Sequence, residues 1–449
     1  MATAQGPTAR FCEWACSTSY QDLPEEVRKE TVTLLYDMVG GLIACSTLPT
    51  CLPVVELVKA LGGRQECSIV GHPVKTSVLH AALANGTIGH GDEVDPTGQR
   101  GTGHFAAVTV PTALCMGQYV GASGPEFLRA LAVGSEMAAR TISILLHAVD
   151  HARRNFADTV GAAMGAAVTA GLLLGLDARQ MEHALGLAAC HACGLNSVYH
   201  DPTHDSKSLQ RGAAAYGGTL AALLARRGFH GPPEVLTQEH GLFDAFAGAA
   251  DLGKHVVEEL GETYLMRQVA YKRFPVGGPN QPALWAFLQI MKKHKIRAQD
   301  IDCVEVSLSR GAFHTVTTLE HPSVHMPTVL SLAAVFGDVT FQHIHEERYS
   351  QDPHVGAFKE RVTLLPQPGL ATPGQRLDIQ LRVLTRGGSV LTQETGYPLM
   401  DEEELRQKFR ALAGLRATQE KVLELEQKLK GIERVDNVAP LVSELEMAS

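Results

Sequence analysis

The sequence predicts a mainly α-helical protein with a smaller α/β lid domain inserted into it. Two changes in the residue pattern lead to this fold class. Apolar residues recur at helical spacing, among many alanines and glycines, as far as about residue 267, where runs of alternating apolar and polar residues begin. Helical spacing returns at about residue 400. We therefore expect residues 1–267 and 400–449 to form one helical domain, with residues 268–399 as the lid.

The composition limits the class of protein. A chain of 449 residues is too long for one ordinary core, and 45% hydrophobic with 19% charged residues is typical of a soluble globular protein. A net charge of −9 without a long Lys/Arg run argues against nucleic acid or an anionic membrane as partner. Nine scattered cysteines and no apolar leader segment predict reduced thiols and a cytoplasmic location.

Start and stop residues predict the first helices. Pro24 followed by two glutamates indicates a helix start, and the helix that follows Leu52 ends at a glycine pair. Small residues dominate Leu79 to Ile88 and Thr159 to Leu176. The second run reaches the lower length limit of a membrane span, but its glycines and flanking acids favour a buried helix. Asp177 fits the N-cap of the next helix.

The lid is predicted from one helix and several strands. Residues 281–294 have helical spacing, whereas residues 302–310, 361–366 and 376–394 alternate as strands do. The Arg-Gly-Gly-Ser sequence at 386–389 separates two alternating runs and indicates a hairpin turn. After residue 398, two charged amphipathic helices are expected.

Two apparent motifs are weighed as structural. Cys190 and Cys193 have CxxC spacing, but they lie in an apolar small-residue helix without a second CxxC, so core packing is favoured over redox or metal chemistry. The glycine pairs at 277–278 and 387–388 form neither a dinucleotide-binding nor a Walker loop, so no nucleotide cofactor is expected.

Three polar islands interrupt the apolar pattern, and the first lies between two apolar helices at residues 90–104. A metal site is considered and not favoured, because the spacing matches no compact ligand motif. His104 as a proton donor or acceptor is preferred, since histidine titrates near neutral pH. The island also contains the candidate substrate-binding residues Asp92, Glu93 and Thr97.

The second and third islands supply cations. Lys207 stands at the entry to a small-residue helix, where it could hold a carboxylate or carry a proton, although a solvated lysine is the simpler interpretation. Lys272 and Arg273 lie at the expected domain junction, and two adjacent cations there suit a polycarboxylate. For Arg273, a charged hinge is an equally good interpretation.

Together the islands resemble the MmgE/PrpD family, whose members include methylcitrate dehydratases, cis-aconitate decarboxylases and iminodisuccinate epimerases. The resemblance covers nearly the whole chain, and the order and spacing of the motifs match. It implies a helical domain with a smaller α/β lid, often dimeric, and a site between them. It rests on the following segments and residues: NGTIGHGDEVDPT, His104, GAAMGAAVTAGLLLGL, SKSLQRGAAAYGG with Lys207, and AYKRFP with Lys272.

The resemblance also implies cofactor-free chemistry, in which a proton α to a carboxylate is removed or added. By this resemblance, His104 is the acid/base and Lys207 is its partner acid/base or a charge stabiliser. Fixed cations would stabilise the enolate-like charge. Lys272 would clamp a substrate carboxylate from the lid. Thr97 and an acid of the loop, Asp92 or Glu93, would orient the substrate.

This sequence departs from the family pattern in several places. Glu93 stands where the family usually has Asp, with Asp92 beside it. Where a His-Pro usually precedes the small-residue helix, Asn155 or Phe156 is found. The His or Cys/His cluster that commonly follows KRFP is absent, and a lid tyrosine is replaced, in the best register by Phe313. At least two proton-handling groups are therefore missing.

The sequence is best interpreted as a cofactor-independent lyase or isomerase acting on a small di- or tricarboxylate, by elimination like that of a 2-methylcitrate dehydratase. An epimerase or isomerase of an iminodisuccinate-like acid is a close alternative. A non-catalytic homologue that keeps the fold as a binding scaffold is the alternative from another class. The enzyme is preferred because a scaffold does not need charged residues in a pocket. A homodimer is expected in either case.

Overall fold

Two large hydrophobic cores organise the computed structural model, which describes residues 5–98, 101–148, 155–367 and 379–447. The larger core takes side chains from both ends of the chain, and the buried side chains described for the smaller core lie between residues 274 and 383. The predicted fold class is confirmed, since the chain is mainly helical with a smaller α/β part. We propose that the domain boundaries lie near residues 268 and 399, where the side chains change from one core to the other.

The helical part contains short strand pairs between its helices. β1 (Cys67–Ser68) pairs with β2 (Lys75–Thr76), and β3 (Thr97–Gly98) pairs with β4 (Val269–Ala270), both antiparallel. Short 3-10 helices span Asn196–His200, Ala250–Val257 and Leu265–Arg267. The α-helices, in chain order, are α1 (Pro7–Ser17), α2 (Glu25–Cys45), α3 (Leu52–Leu61), α4 (Val78–Gly89), α5 (Ala106–Val120), α6 (Gly124–His147), α7 (Ala157–Leu173), α8 (Ala178–His191), α9 (Asp205–Arg226) and α10 (Leu242–Ala247).

The lid is built on a four-stranded sheet. Its strands are β5 (Ile301–Leu308), β6 (Val362–Pro366), β7 (Ile379–Thr385) and β8 (Val390–Thr395), in the spatial order β6-β5-β7-β8. β5 and β6 are parallel and the other pairs are antiparallel. The predicted hairpin between β7 and β8 is confirmed. The helices of the lid are α11 (Asn280–His294), a 3-10 turn (Ala298–Asp300), α12 (Arg310–Thr318), α13 (Met326–Phe336), α14 (Phe341–His345), α15 (Glu347–Ser350) and α16 (Pro353–Lys359).

The C-terminal helices return to the larger core. They are α17 (Glu402–Ala413), α18 (Gln419–Lys430), a 3-10 turn (Ile432–Arg434) and α19 (Ala439–Ser443). The predicted helix signals also hold: α2 begins directly after Pro24, and the Asp177 side chain accepts the backbone N–H of Gln180 at 2.8 Å to cap α8. The helices from α12 to α16 were not predicted, because their segments are short and lack a long apolar period.

Small residues allow α4, α5, α7 and α9 to pack closely beneath the first two islands. A Cβ on Gly86 of α4 would lie 2.9 Å from Gly212 Cα of α9. A Cβ on Gly218 of α9 would lie 2.7 Å from the carbonyl oxygen of Ala163 in α7. α7 is buried from Ala157 to Leu172, as predicted. Among the described helices, none has the length and apolar character that crossing a membrane requires.

The expectation that the CxxC cysteines pack in the core is wrong. Cys190 lies in the last turn of α8 and Cys193 just after it, and both thiols are free and exposed. The apolar pattern of α8 ends one turn earlier than the sequence suggested, because its last buried residue is Ala188.

The close approach of α7 and α9 predicts a position-specific stability effect. Gly218→Ala should lower the free energy of unfolding by about 1–3 kcal/mol, because a methyl group there forces the two helices apart. Gly217→Ala is the matched control, since its nearest neighbour beyond α9 is His191 Cβ at 3.5 Å. It should raise stability by about 0.4–1 kcal/mol. Urea unfolding of both variants measures the difference, and equal midpoints would contradict this packing account.

Candidate functional site

The three islands meet around the buried loop that follows α4. Residues 90–96 of this loop are all buried. The pairing of β3 with β4 fixes the end of the loop beside Lys272, which lies two residues after β4. The first turn of α9 brings Lys207 to the opposite side of the loop, where the Ser208 hydroxyl donates to the His90 carbonyl oxygen at 2.6 Å. The local pairing of strands and helices thus gathers side chains that are far apart in sequence.

The carboxylate of Glu93 holds the two lysines of the second and third islands. Lys207 Nζ donates to Glu93 Oε1, and Lys272 Nζ donates to Glu93 Oε2 at 2.5 Å. Lys272 Nζ also donates to Asp95 Oδ1 at 3.5 Å. Lys207 is 6% exposed, Glu93 2%, Asp95 1% and Lys272 0%. Two carboxylates therefore balance two ammonium groups, and each of these four buried charges has a partner of opposite sign.

Asp95 fixes the tautomers of two histidines. Its Oδ1 lies 2.9 Å from His90 Nδ1, and its Oδ2 lies 2.8 Å from His104 Nδ1. An ionised carboxylate can only accept, so Nδ1 carries the hydrogen in both imidazoles. Nε2 of His104 is then the nitrogen with the free lone pair, which is the form that a general base requires.

Burial and paired charges set the protonation states of the network. Burial raises the pKa of Glu93, but Lys207 and Lys272 outweigh it and hold that pKa well below its usual value. Burial also raises the pKa of Asp95, and His90, His104 and Lys272 lower it further than burial raises it. Burial lowers the pKa of His90 to about 4 despite the neighbouring Asp95. At neutral pH, both carboxylates are therefore ionised and His90 is neutral.

A cleft of about 180 Å³ opens beside this network. Its volume lies below the range of about 300–1,000 Å³ that is common for drug-sized ligands, so the cleft suits a small molecule. It brings together predicted residues from two islands: Glu93, Thr97, His104 and Lys207. Other side chains that line it come from the segment before α9, from the lid and from its return to the helical part: Val198, Tyr199, His204, Thr315, Leu319, Val324 and Tyr397.

Asp92 faces away from the cleft, and Glu93 faces into it. Asp92 Oδ1 accepts the Ser323 hydroxyl at 2.7 Å, and Asp92 Oδ2 lies 3.3 Å from His345 Nε2. Burial raises the pKa of Asp92, but the histidines around it, first among them His321, bring it below its usual value. The sequence left open whether Asp92 or Glu93 faces the site. In the structure the two carboxylates point in different directions, and only that of Glu93 lines the cleft.

The structure places the predicted cations of the third island outside the cleft lining. Lys272 is fully buried behind Glu93, and carboxylates of this chain take up its amine. The guanidinium of Arg273 forms two hydrogen bonds with Glu404 of α17, at 2.6 and 2.7 Å, and lies 4.4 Å from the ring centroid of Trp285. Arg273 thereby joins the start of the lid to the C-terminal helices, and its charge is already paired.

The positions of the missing family residues are filled by packing groups. Asn155 and Phe156 line a neighbouring cavity of about 290 Å³, which shares His104 and Tyr199 with the cleft. The Phe156 ring lies 4.7 Å from the guanidinium carbon of the buried Arg211. Phe313 packs against the lid core. Apart from His104, no histidine among the residues that the structure describes lines this cavity.

Two lining residues carry functional groups that the sequence did not assign. His204 has φ 67° and is 1% exposed, and neither of its ring nitrogens has a hydrogen-bond partner in the described part of the chain. The Tyr397 hydroxyl is likewise without a partner there, and burial raises its pKa well above the usual value. His204 could have been suspected from its place in the second island, whereas nothing local distinguishes Tyr397.

Comparison with known proteins places this geometry in a family. Residues 9–255 match the sequence model of the MmgE/PrpD N-terminal domain, and residues 274–431 match that of the C-terminal domain. A cis-aconitate decarboxylase of Aspergillus terreus is 24% identical over 97% of this chain and 95% of its own length. The human cis-aconitate decarboxylase is 24% identical, over 94% and 90%. A 2-methylcitrate dehydratase of Cupriavidus necator is 26% identical over about half of each chain, 51% and 50%.

The lowered pKa values of the loop carboxylates predict how stability depends on pH. A carboxyl group with a lowered folded-state pKa stabilises the fold above its unfolded-state pKa of about 4, and loses this contribution as the pH falls. Asp95→Asn should therefore cost about 3–5 kcal/mol at pH 7, because it breaks a buried charge network. Below pH 4, the stability difference from the wild type should narrow by up to about 1.4 kcal/mol per pH unit.

Urea unfolding between pH 7 and pH 3 measures this dependence. Asp251→Asn is the control, because Asp251 forms an exposed ion pair with Lys254 and should behave like the wild type. If the stability difference between Asp95→Asn and the wild type stays constant down to pH 3, Asp95 is not an ionised, paired carboxylate in the folded protein.

Proposed function

The chain belongs to the MmgE/PrpD family, and from this premise we propose that it is a cofactor-independent lyase acting on a small di- or tricarboxylate. The reaction would move a proton α to a carboxylate, in an elimination like that of a 2-methylcitrate dehydratase. The observation that carries the proposal is the pairing of a tautomerically fixed His104 with the Lys207 ammonium in one small cleft. Relatives named as decarboxylases and dehydratases are lyases, which supports the same class.

His104 is the proposed base. Its Nδ1–H is held by Asp95, so Nε2 can accept the α-proton of a substrate in the cleft. The side chain of His104 is 13% exposed, whereas that of Asp95 is 0% exposed, so the imidazole and not the carboxylate meets the substrate. Asp95 also stabilises the imidazolium that forms, in the manner of the carboxylate in a catalytic triad.

Lys207 is the proposed charge stabiliser and acid. Its ammonium group has three N–H donors, and Glu93 accepts one of them. The remaining donors can hold the substrate carboxylate whose charge increases as the α-proton leaves. In the elimination, the Cα–H electron pair becomes the C=C bond, and the C–O bond at Cβ breaks. The leaving hydroxyl takes a proton from the enzyme and departs as water.

Glu93 and Lys272 are proposed as positioning residues. The Glu93 carboxylate accepts hydrogen bonds from both lysine amines at once. It therefore fixes the position of the Lys207 amine in the cleft and holds the Lys272 amine on the buried side of Glu93. Thr97 lines the same cleft as Glu93 and can orient a polar substrate group. The substrate clamp expected from Lys272 is thus assigned to Lys207, whose side chain reaches the cleft.

Proton exchange tests this proposal directly. Wild-type protein in heavy water should exchange the α-protons of succinate-, citrate- or aconitate-like acids, followed by NMR. Lys207→Ala should slow the exchange by about 10²–10⁴-fold, because the enolate-like charge loses its fixed cation. Lys293→Ala, which removes an exposed lysine of α11, should exchange at the wild-type rate.

The outcomes separate the alternatives. Exchange with formation of an unsaturated acid supports the lyase, and exchange without it indicates an isomerase or epimerase. Tight calorimetric binding of an acid without exchange would favour a non-catalytic scaffold. If no candidate acid exchanges or binds, the proposed function is contradicted.

A further inference from the structure

A second cluster of ionisable side chains lies beside the cleft and shares His204 with the cleft lining. Asp92 and His204 come from the helical part, and His321 and His345 come from the lid. One carboxylate oxygen of Asp92 and one nitrogen each of His204 and His321 all lie within 4.8 Å of one another. Asp92 Oδ2 lies 3.3 Å from His345 Nε2. The cluster therefore spans the boundary between the two cores.

Four atoms of this cluster are buried and form no hydrogen bond with any described residue. Asp92 Oδ2, both ring nitrogens of His204, and His345 Nε2 have no hydrogen-bond partner among the residues that the structure describes. Asp92 is 2% exposed and His204 1%. Buried polar atoms in proteins are almost always paired, so unsatisfied atoms grouped around Asp92 indicate an additional ligand. The left-handed backbone of His204, a conformation that costs about 1–3 kcal/mol in a non-glycine residue, is also typical of a functional position.

Surrounding hydrogen bonds prepare two of the groups as metal ligands. The single hydrogen of the Ser323 hydroxyl is donated to Asp92 Oδ1 at 2.7 Å. The same hydroxyl lies 2.8 Å from His321 Nδ1, so it must accept the Nδ1 hydrogen. Nε2 of His321 then keeps its lone pair, and Asp92 Oδ2 remains available. Hydrogen bonds of this kind, made by the ring nitrogen that does not bind the metal, orient the histidine ligands of metal sites.

The donor set selects the kind of ion. Imidazole nitrogens with one carboxylate suit Zn²⁺ and similar transition-metal ions, whereas Ca²⁺ and Mg²⁺ prefer oxygen ligands. Ligand atoms of a tetrahedral zinc site lie about 3.3–3.5 Å apart, which Asp92 Oδ2 and His345 Nε2 already satisfy at 3.3 Å. The ligand atoms of Asp92, His204 and His321 lie within 4.8 Å of one another and would move closer together when the ion binds. His345 is not part of this group, so its imidazole would also have to move towards His204 and His321.

The charge distribution favours this cluster over the one next to it. Among the described residues, no lysine or arginine forms an ion pair with Asp92, whose only such contact is His345. The adjoining group of His90, Glu93 and His204 also has suitable spacing, but Lys207 and Lys272 already neutralise Glu93. A divalent cation there would be repelled by two ammonium groups at short range.

We propose that Asp92, His204 and His321, with His345 as fourth ligand, bind one Zn²⁺-like divalent cation that pins the lid to the helical part. The proton transfer proposed above uses His104 and Lys207, and neither of these residues is a ligand of the ion. Its role is to hold the loop and the lid in register, so that Glu93 and Thr97 keep their places in the cleft. This inference does not depend on the reaction that the cleft catalyses.

Metal binding to the full chain tests the site. The protein, without a histidine tag, is stripped with a chelator and titrated with Zn²⁺, and with Co²⁺ as a spectroscopic probe. One equivalent of metal per chain should bind, Co²⁺ should give the visible absorption of a tetrahedral site, and Zn²⁺ should raise the melting temperature. His321→Ala and His345→Ala should each weaken binding at least tenfold. His354→Ala, at an exposed histidine of the lid, is the control and should bind like the wild type.

The melting temperatures of the metal-free proteins show whether each variant is folded. The proposal is supported if the metal-free His321→Ala melts like the metal-free wild type and has lost the Co²⁺ spectrum. If His321→Ala does not fold, the partly exposed His345 provides the second variant, judged by the same spectrum. Absence of stoichiometric binding to the wild type, or an unchanged Co²⁺ spectrum in both variants, would overturn the proposal.

Discussion

The structure depends on a buried set of balanced charges in the loop between α4 and β3. The carboxylates of Glu93 and Asp95 face the ammonium groups of Lys207 and Lys272, and each of these groups is almost completely removed from solvent. Charges in such a position are stable only when every partner is present, because the loss of one leaves another unpaired in a medium of low polarity. The loop, α9 and the start of the lid therefore hold one another in place.

The small-residue helices below this loop help to position its charged partners. Glycines at the contacts of α4 with α9 and of α7 with α9 let the backbones approach closely, so the first turn of α9 stands at a fixed distance from the loop. The strand pair Thr97–Ala270 and Gly98–Val269 fixes the other side. Packing thus determines where Lys207 and Lys272 reach Glu93, and the charges in turn determine which face of the loop meets the cleft.

Sequence patterns were sufficient for the parts of the fold that have strong local signals. Helix starts at Pro24 and Asp177, the buried helix α7, and the hairpin of β7 and β8 all follow from residues within a few positions. The gathering of His104 and Lys207 in one cleft was expected from the family resemblance and not from any local period. The direction in which a side chain points could not be predicted from the sequence. Arg273, for example, pairs with Glu404, which lies more than a hundred residues away along the chain.

The same limit applies to the residues that the sequence did not assign. Tyr397 lines the cleft because the chain returns from the lid beside the first island, and no pattern around residue 397 records that neighbour. His204 is exceptional in its backbone angle and in its unpaired nitrogens, which are properties of the folded chain alone. The geometry of the site comes from long-range contacts between the islands. The sequence shows that the islands exist, but it does not show how they are oriented towards one another.

The tautomer of His104 is the most direct test of this charge network. Nitrogen-15 NMR of histidine-labelled protein at pH 7.5, with the signal assigned by a His104→Gln variant, reports which ring nitrogen carries the hydrogen. The account predicts hydrogen at Nδ1 in the wild type, held by ionised Asp95 at 2.8 Å, and loss of this preference in Asp95→Asn. Hydrogen at Nε2 in the wild type would contradict it, because His104 would then have no lone pair to offer the cleft.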